Sequence, residues 1–445
     1  MGADRLRRRG PAGVSGRPER APETQRASLE DTLRDCKPDL PRAVWIIQLG
    51  TVVNFFGFGL VLPFELIYLH DRRGFSLPTS GLIVSTIMAV SVVCAAPAGA
   101  LADRIGGKRL LVVGGVISGL GYGSLAFATH PWQAFLGSAV AGVGAGCTQP
   151  AAGALITALC TREQRIAAFT VARIAINLGI GAGGVVAGLI VASGSIRSFQ
   201  VIYLLNAATF FGYLCFLAFV PDARPVHRAE AEHGPRGYRF VLGHHAFLGV
   251  LAANFVFVIV GYTLFGYTMP IYARHHAHVS SQAIGGIFAA NTIFIILFVI
   301  PIARLAHARS RATLLGLMCT AWGLACVIAI GAGAIGGPHV GVAILALSGI
   351  VFAVGECLHA VVLQPLVTEL APPALVGRYM ALFGITFSVG LAAGPSASAS
   401  ALAVSPDLPW ITGAAAMLAL LPVLSPVVRR AQAPKEPRVL ASETV

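Results

Sequence analysis

The sequence predicts an all-α integral membrane protein with twelve transmembrane helices, and three observations lead to this prediction. Apolar residues make up 56% of the chain and charged residues 11%, with a mean hydropathy of +0.76, whereas about a quarter of a soluble chain is charged. Twelve apolar runs are long enough to cross a bilayer, which takes about 20 helical residues. The runs are continuous and do not alternate with polar residues, so strands are not the competing prediction.

The twelve runs form two sets of six, separated by a polar break that is rich in Pro, Arg, Glu, His and Gly. The predicted helices are 43–69, 79–102, 110–129, 132–160, 166–192, 199–220, 246–272, 282–303, 312–335, 339–369, 375–404 and 408–428. We therefore expect a disordered cytoplasmic tail at 1–42, a six-helix bundle at 43–220, a cytoplasmic central loop at 221–245, a second six-helix bundle at 246–428 and a cytoplasmic tail at 429–445.

The net charge of +13 follows from membrane topology. Most of the 32 Lys and Arg residues lie in segments on the same side of the predicted membrane as the amino terminus. Because basic residues concentrate on the cytoplasmic side, both termini are expected in the cytoplasm and the protein in the inner (plasma) membrane. The lipid bilayer is thus the expected partner of this chain, and nucleic acid is not.

A charged loop between the second and third predicted helices carries a family motif. Its matched residues are Gly99, Asp103, Arg104, Gly106, Lys108 and Arg109. They fill every defined position of the G-x-x-x-D-R-x-G-x-K/R-K/R loop of the major facilitator superfamily. The chain resembles this superfamily, and most of all its twelve-helix branch of drug:proton antiporters, the multidrug efflux permeases. The resemblance implies the major facilitator fold and transport by alternating access.

The resemblance also implies a gating role for this loop. In the family the aspartate approaches the cytoplasmic start of helix eleven, which in this chain is the region of Arg378. A carboxylate opposite a helix amino terminus gains about 0.3–1 kcal/mol, so Asp103 would latch the cytoplasmic side shut. Glu163, at the end of helix four, is the expected partner of Arg104.

Glycine-rich stretches repeat in the two halves of the chain. Helix five carries Gly179, Gly183 and Gly184, and helix eleven carries Gly390 and Gly394 at matching spacing. Small residues four apart allow close helix contacts, and such internal repeats are typical of alternating-access transporters. In helix four, Ser138 stands where the drug:proton antiporters carry the arginine associated with proton coupling.

Charged residues inside the spans are the candidates for proton coupling, because a charge at membrane depth costs about 2.5–3.5 kcal/mol. Glu65 and Glu356 are the acidic residues within predicted helices. Glu356 lies near mid-membrane in helix ten, one of the cavity-lining helices of the family, where a carboxyl can load and release a proton. His359 shares its helix face. Glu65 lies near the outer face, where it either gates, recruits a cation or reaches to the interface.

The remaining candidates would bind substrate. Arg173 is the basic residue within a span. Its partner is expected to be one of three groups: Glu356, an anionic group on the substrate, or carbonyls at a helix end. The expected cavity residues are Asn54, Phe58, Gln149, Arg173, Asn254, Tyr262 and Glu356. Aromatic side chains dominate helices one and seven, which suits a largely apolar organic molecule with a few hydrogen bonds.

The sequence thus predicts a secondary active transporter that exports a hydrophobic organic compound, such as a drug or antibiotic, in exchange for protons. The alternative is a facilitator that imports a metabolite or moves a lipid. We expect a monomer that needs no cofactor. The eight cysteines show no CxxC spacing, so we expect no metal site. The sequence shows no Ser/His/Asp set and no phosphate-binding loop, so we do not expect an enzyme.

Overall fold

The computed structural model describes residues 39–161, 163–223, 240–307, 309–335, 337–372 and 375–432. This part of the chain is helical and contains no strand. Its long helices are α1 (Arg42–Arg72), α2 (Leu77–Ile105), α3 (Gly107–Leu125), α4 (Pro131–Leu159), α5 (Gln164–Ile190), α6 (Ile196–Ala218), α7 (His245–His275), α8 (Ser281–His307), α9 (Arg311–Ala334), α10 (Pro338–Leu370), α11 (Val376–Val404) and α12 (Leu408–Gln432).

Within the described residues, ten of these helices are long and apolar enough to cross a membrane. The other two are α3 and α12. Lys108 and Arg109 lie in the first turn of α3, and the apolar part of α12 is the shorter Leu408–Pro422. The all-α membrane fold predicted from the sequence is confirmed, and each helix boundary lies within a few residues of the predicted one. Most of the expected tails, 1–38 and 433–445, and most of the central loop, 224–239, lie outside the described residues, while 429–432 belong to α12.

Helix α1 is not a regular helix over its whole length. It changes to a 3₁₀ turn at Leu62–Phe64 and ends in a π-helical turn at Tyr68–Arg72. Pro63 accounts for the change, because proline has no backbone N–H to donate and its ring clashes with the preceding turn. Glu65 directly follows this break, and the last turn carries Asp71, two residues beyond the predicted end at 69.

Helix α7 contains a long π-helical segment, Val258–Thr268. Wider turns of this kind are uncommon and occur frequently at functional sites. The segment includes Tyr262 and packs against Trp322 of α9, which lies against Gly261 of α7 and Gly355 of α10. The indole Nε1 donates to the Phe352 carbonyl at 3.1 Å.

The repeated glycines lie at equivalent helix contacts in the two halves, α1–α6 and α7–α12. In the first half, Gly179 packs against α1 near Phe56, while Gly188 packs against α8 at Ser281. In the second half, Gly394 packs against Thr263 of α7, while α2 contacts α11 between Gly81 and Ala399. Helix α5 therefore lies between α1 and α8, and α11 lies between α7 and α2.

Among the described residues, side-chain and glycine contacts between the two halves are found toward one end of the helices. We call it the far end, where α1 stops and α2 starts; the opposite end, where α1 starts and α12 stops, is the terminal end. At the far end Asp71 pairs with His275 at 2.8 Å, and the Ser85 hydroxyl accepts from the Ser396 N–H at 3.0 Å. At the terminal end, the ion pair Arg311–Glu369 stays within the second half.

Candidate functional site

A cavity of about 200 Å³ lies between the two halves. Its walls come from α1, α2, α5, α7, α8, α10 and α11. Apolar side chains form much of the surface, among them Phe58, Met88, Phe265, Phe288, Phe387 and Leu391. The polar side chains are Arg173, Asn177, Tyr262, Tyr267, Asn291, Thr292 and Glu356. The cavity is small, since sites for drug-sized ligands have volumes of about 300–1,000 Å³.

Two opposite charges line this cavity from different helices. Arg173 of α5 is exposed to it, and Glu356 of α10 is half-buried. The two interact electrostatically but form no ion pair within 4.0 Å, since the ion pairs among the described residues are Arg109–Asp222, Asp71–His275 and Arg311–Glu369. The cavity therefore holds an acid and a base whose charges are not mutually satisfied by direct contact.

A chain of hydrogen bonds leads from the cavity into the second half. The Tyr262 hydroxyl lies 3.2 Å from His359 Nδ1, and His359 Nε2 lies 3.1 Å from Asn254 Oδ1. Asn254 Nδ2 donates to the Thr386 hydroxyl at 3.0 Å, which donates to the Phe383 carbonyl at 2.8 Å. Helices α7, α10 and α11 are linked in this way.

The direction of each bond in this chain can be assigned. Because the Asn254 amide nitrogen donates to Thr386, its oxygen is left to accept, so His359 Nε2 carries a hydrogen. In an uncharged ring, His359 Nδ1 is then the acceptor for the Tyr262 hydroxyl. Arg173 interacts with the oxygen of Tyr262 from the cavity side, which suits a guanidinium because it has donors alone.

The structure places only some of the predicted substrate-binding residues in the cavity wall. Those that line the cavity are Phe58, Arg173, Tyr262 and Glu356. Those that do not are Asn54, Gln149 and Asn254. Asn54 is half-buried on α1, Gln149 is exposed on α4, and Asn254 is fully buried in the hydrogen-bond chain. The proton-coupling roles of Glu356, Glu65 and His359 stay predictions.

Glu65 lies in a second polar pocket toward the far end of α1. Its side chain is 3% exposed and its Oε1 has no hydrogen-bond partner, so it does not reach the protein surface. Tyr122 and Tyr203 of the first half surround it together with Tyr267 of the second half. Because Tyr267 also lines the main cavity, this one side chain borders both.

The charged loop between α2 and α3 contacts the end of α6. Gly106 has φ +93°, a conformation that glycine adopts without strain, and it ends α2. Lys108 Nζ donates to the Val220 carbonyl at 2.5 Å, and Arg109 pairs with Asp222 at 3.7 Å. Both partners follow directly after α6. These contacts anchor the loop within the first half.

The gating contacts expected from the family motif stay predictions. The Asp103 side chain lies outside the described part of the structure. Arg104 and Glu163 are exposed, a Cβ at Gly99 would meet no atom within 4 Å, and Arg378 is half-buried near the start of α11.

Sequence reasoning missed several residues of the site. Asn291 and Thr292 lie on α8 in the cavity wall, and Asn291 interacts with the Glu356 carboxyl. The signal was present, because these two polar residues interrupt an otherwise apolar run. The pair Asp71–His275 had no such signal, since the predicted helices ended at 69 and 272. No group of three or more His, Cys, Asp or Glu side chains in the described ranges could hold a metal ion.

Comparison with known proteins identifies the family. The family model described as Major Facilitator Superfamily matches residues 47–275 and 251–444. The chain is 25% identical over 362 residues to the MFS-type transporter YqjV of Bacillus subtilis, covering 80% of this chain and 85% of YqjV. It is also 25% identical over 391 residues to the multidrug resistance protein MdtH of Aeromonas hydrophila, covering 82% of this chain and 90% of MdtH.

Solved transporters share the fold. A crystal structure of a mutant of the nucleoside transporter NupG superimposes with a TM-score of 0.71 at 15% identity, over 87% of this chain and 100% of NupG. A POT family transporter in complex with 5-aminolevulinic acid gives 0.72 at 15% identity, over 88% and 97% of the two chains. The chain therefore belongs to the Major Facilitator Superfamily and is a membrane transporter, not an enzyme.

Proposed function

We propose that this transporter exports a hydrophobic organic compound in exchange for protons by alternating access. The observation that carries the proposal is the placement of Glu356. It is the carboxyl among the described residues of the cavity wall, and aromatic side chains surround it. A carboxyl in such a position can bind a proton when the cavity is empty and give it up when a substrate binds.

The charge distribution supports an orientation in the membrane. The terminal end holds the basic loops, including Lys108, Arg109, Arg304 and Arg311, so we place it in the cytoplasm. The far end, where the halves are joined, then faces outward. With the halves in contact at the far end, a substrate would enter the cavity from the cytoplasm, as an exporter requires.

The relatives support export of drugs. MdtH of Aeromonas hydrophila carries the name multidrug resistance protein, and its match extends over most of both chains. One proton moving through about 100 mV supplies about 2.3 kcal/mol, which sustains a concentration ratio of about fifty for an uncharged compound.

The test is compound-driven proton movement in inverted membrane vesicles that contain the full chain. A panel of antibiotics and dyes is added to energised vesicles, and the internal pH is followed. The variant is Glu356→Gln. Its matched control is Glu369→Gln on the same helix, whose carboxylate is exposed and paired with Arg311.

The outcomes separate the parts of the proposal. Proton release that is driven by some compound, lost in Glu356→Gln and kept in Glu369→Gln supports both export and the role of Glu356. An equal response in Glu356→Gln keeps the exchange and removes Glu356, with Glu65 as the next carboxyl to test. If no compound in a broad panel moves protons, the proposal of drug:proton exchange is wrong.

Arg173 favours a second candidate, a carrier that imports a metabolite. A guanidinium in the cavity suits a substrate with an acidic group better than a purely apolar drug. Uphill accumulation in right-side-out vesicles, with none in inverted vesicles, would select import over export.

A further inference from the structure

The two charges of the cavity point to the charge pattern of the substrate. Arg173 and Glu356 line the same small cavity without forming a direct ion pair. Arg173 is exposed to the cavity and Glu356 is half-buried, and a charge that a bound ligand removes from water is stable only when it is paired and hydrogen-bonded. A ligand that supplies one group of each sign would satisfy both residues together.

Each charge is held by neighbours that aim it at the cavity. Asn291 Nδ2 donates to the Gly349 carbonyl at 3.1 Å, and the Asn291 side chain also interacts with Glu356. Arg173 interacts with Tyr262, whose hydroxyl is oriented by His359. The acid and the base thus have separate supports on different helices, so they do not need each other to stay in place.

We propose that the substrates of this cavity are zwitterions with an apolar body. The acidic group of the substrate would pair with Arg173 and its ammonium group with Glu356, while the apolar body would pack against the aromatic wall. This inference rests on the proposed function and adds the substrate class. A cation alone meets repulsion from Arg173, an anion alone leaves the Glu356 carboxyl without an ammonium partner, and a neutral compound leaves both side chains without a partner.

The pairing also supplies the exchange with protons. The substrate ammonium and a proton compete for the same carboxylate of Glu356, so binding of one displaces the other. The groups that interact with Glu356 are Arg173 of α5, Tyr262 of α7 and Asn291 of α8, with Cys357 on α10 itself. Among these Arg173 is the cation, so it offsets the charge of Glu356 without blocking the competition.

The test uses four probes with one apolar body. They are 3-(2-naphthyl)alanine, a zwitterion; its carboxamide, a cation; its N-acetyl derivative, an anion; and its N-acetyl carboxamide, which is neutral. Binding to the purified full chain in nanodiscs is measured by calorimetry with no proton gradient, at pH 6.5, where the α-amino group of the carboxamide is largely protonated. We expect the zwitterion to bind about tenfold or more tightly than each of the other three, with release of a proton on binding.

Two variants assign the charges. In Glu356→Gln the zwitterion should bind no better than the N-acetyl anion, and proton release should disappear. In Arg173→Gln the zwitterion should bind no better than the carboxamide cation. The control is the exposed pair at the terminal end, Arg311→Gln and Glu369→Gln, which should keep the preference of the wild type.

The wild-type protein alone can overturn the proposal, even if a variant does not fold. Binding of the neutral, anionic or cationic probe within about threefold of the zwitterion contradicts it, and so does absence of zwitterion binding. Because binding is measured without transport, the two proposals fail separately. A zwitterion preference without any proton exchange in vesicles supports the substrate class and contradicts the antiporter. Proton exchange driven by neutral compounds supports the antiporter and contradicts the substrate class.

Discussion

Asp71, in the last turn of α1, forms an ion pair of 2.8 Å with His275, the last residue of α7. The Asp71 side chain is 14% exposed and that of His275 is 42% exposed. The pair joins the two halves of the transporter at the far end. Since α1 and α7 are equivalent helices of the two halves, the contact lies where the halves must separate for the cavity to open at the far end, which we propose faces outward.

Removal of this pair should favour the outward-open state. An ion pair near the surface contributes about 0.2–1 kcal/mol, so Asp71→Asn should raise the open population by at most about fivefold. The measurement is the labelling rate of Ser85→Cys, in a background without native cysteines, by a membrane-impermeant maleimide. Ser85 is buried at the far-end contact with Ser396. An unchanged rate would show that the pair does not hold the far end closed, and Glu369→Gln serves as the control.

Glu65 should link protons to the same opening. Among the described residues, no ion pair within 4.0 Å reaches its carboxyl, and burying an unpaired carboxylate is costly. Closure against Tyr267 therefore favours the protonated acid, and opening lets the proton leave. Glu65→Gln imitates the protonated form, so it should keep the fold and slow Ser85→Cys labelling.

The pH dependence gives the sign of this effect. Higher external pH should accelerate labelling in the wild-type background, because it favours the ionised acid and the open state. Because the thiolate is the form that reacts, the intrinsic labelling rate also rises with pH, so each rate is divided by that of a free cysteine at the same pH. In Glu65→Gln this ratio should be independent of pH. Faster labelling in the variant at all pH values would contradict a gating role for Glu65.

His359 should act by positioning Tyr262. Both ring nitrogens are engaged, one by Tyr262 and one by Asn254. His359→Ala and Tyr262→Phe should each weaken binding of 3-(2-naphthyl)alanine by about three- to tenfold. The double variant should lose no more than the larger single loss, because both changes remove one hydrogen bond. If His359 instead carries the coupled proton, His359→Ala will abolish proton release and Tyr262→Phe will not.

His276, just past the end of α7, should weaken folding in acid. Burial lowers its pKa from the ordinary 6.5, the charge of His275 lowers it further, and Asp407 opposes this shift. As the pH falls, the unfolded chain binds a proton at His276 before the folded chain does. The contribution of His276 to the free energy of unfolding is therefore fully present above pH 6.5 and falls as the pH drops toward the pKa of the folded state. His276→Gln should reduce the fall of the thermal midpoint between about pH 7 and pH 5, measured on purified protein in detergent.

The sequence predicted the fold better than the site. Length and hydropathy are enough to locate membrane helices, and the charged loop ending in Lys108 and Arg109 was enough to indicate the family. Arg173 and Glu356 were found because a charge in an apolar run is conspicuous. Their placement in one cavity, without a direct pair, depends on how α5 and α10 pack, which no local pattern encodes.

Three features of the site depend on local distortions or distant contacts. The π-helical segment around Tyr262 contains no proline, and Pro270, two residues beyond its end, does not specify a wider turn. The bend before Glu65 could be predicted only from a proline within a helix. Asn254 had the right depth for the cavity, but its amide is used by Thr386 and His359. Depth in the membrane follows from sequence position, whereas the direction of a side chain follows from helix packing.

Close packing between α7 and α11 should make Gly394 intolerant of a side chain. A Cβ at this position would overlap Thr263 of the π-helical segment, whereas a Cβ at Gly384 on the same helix meets no atom within 4 Å. Gly394→Ala should therefore destabilise the protein by about 1–3 kcal/mol. Gly384→Ala should be neutral or stabilise it by up to about 1 kcal/mol, since alanine favours helix. The thermal midpoint of the purified chain measures both. Adding Thr263→Ala should restore part of the loss in Gly394→Ala, because it removes Oγ1 and Cγ2, two of the three overlapping atoms. An additive double loss would contradict the contact.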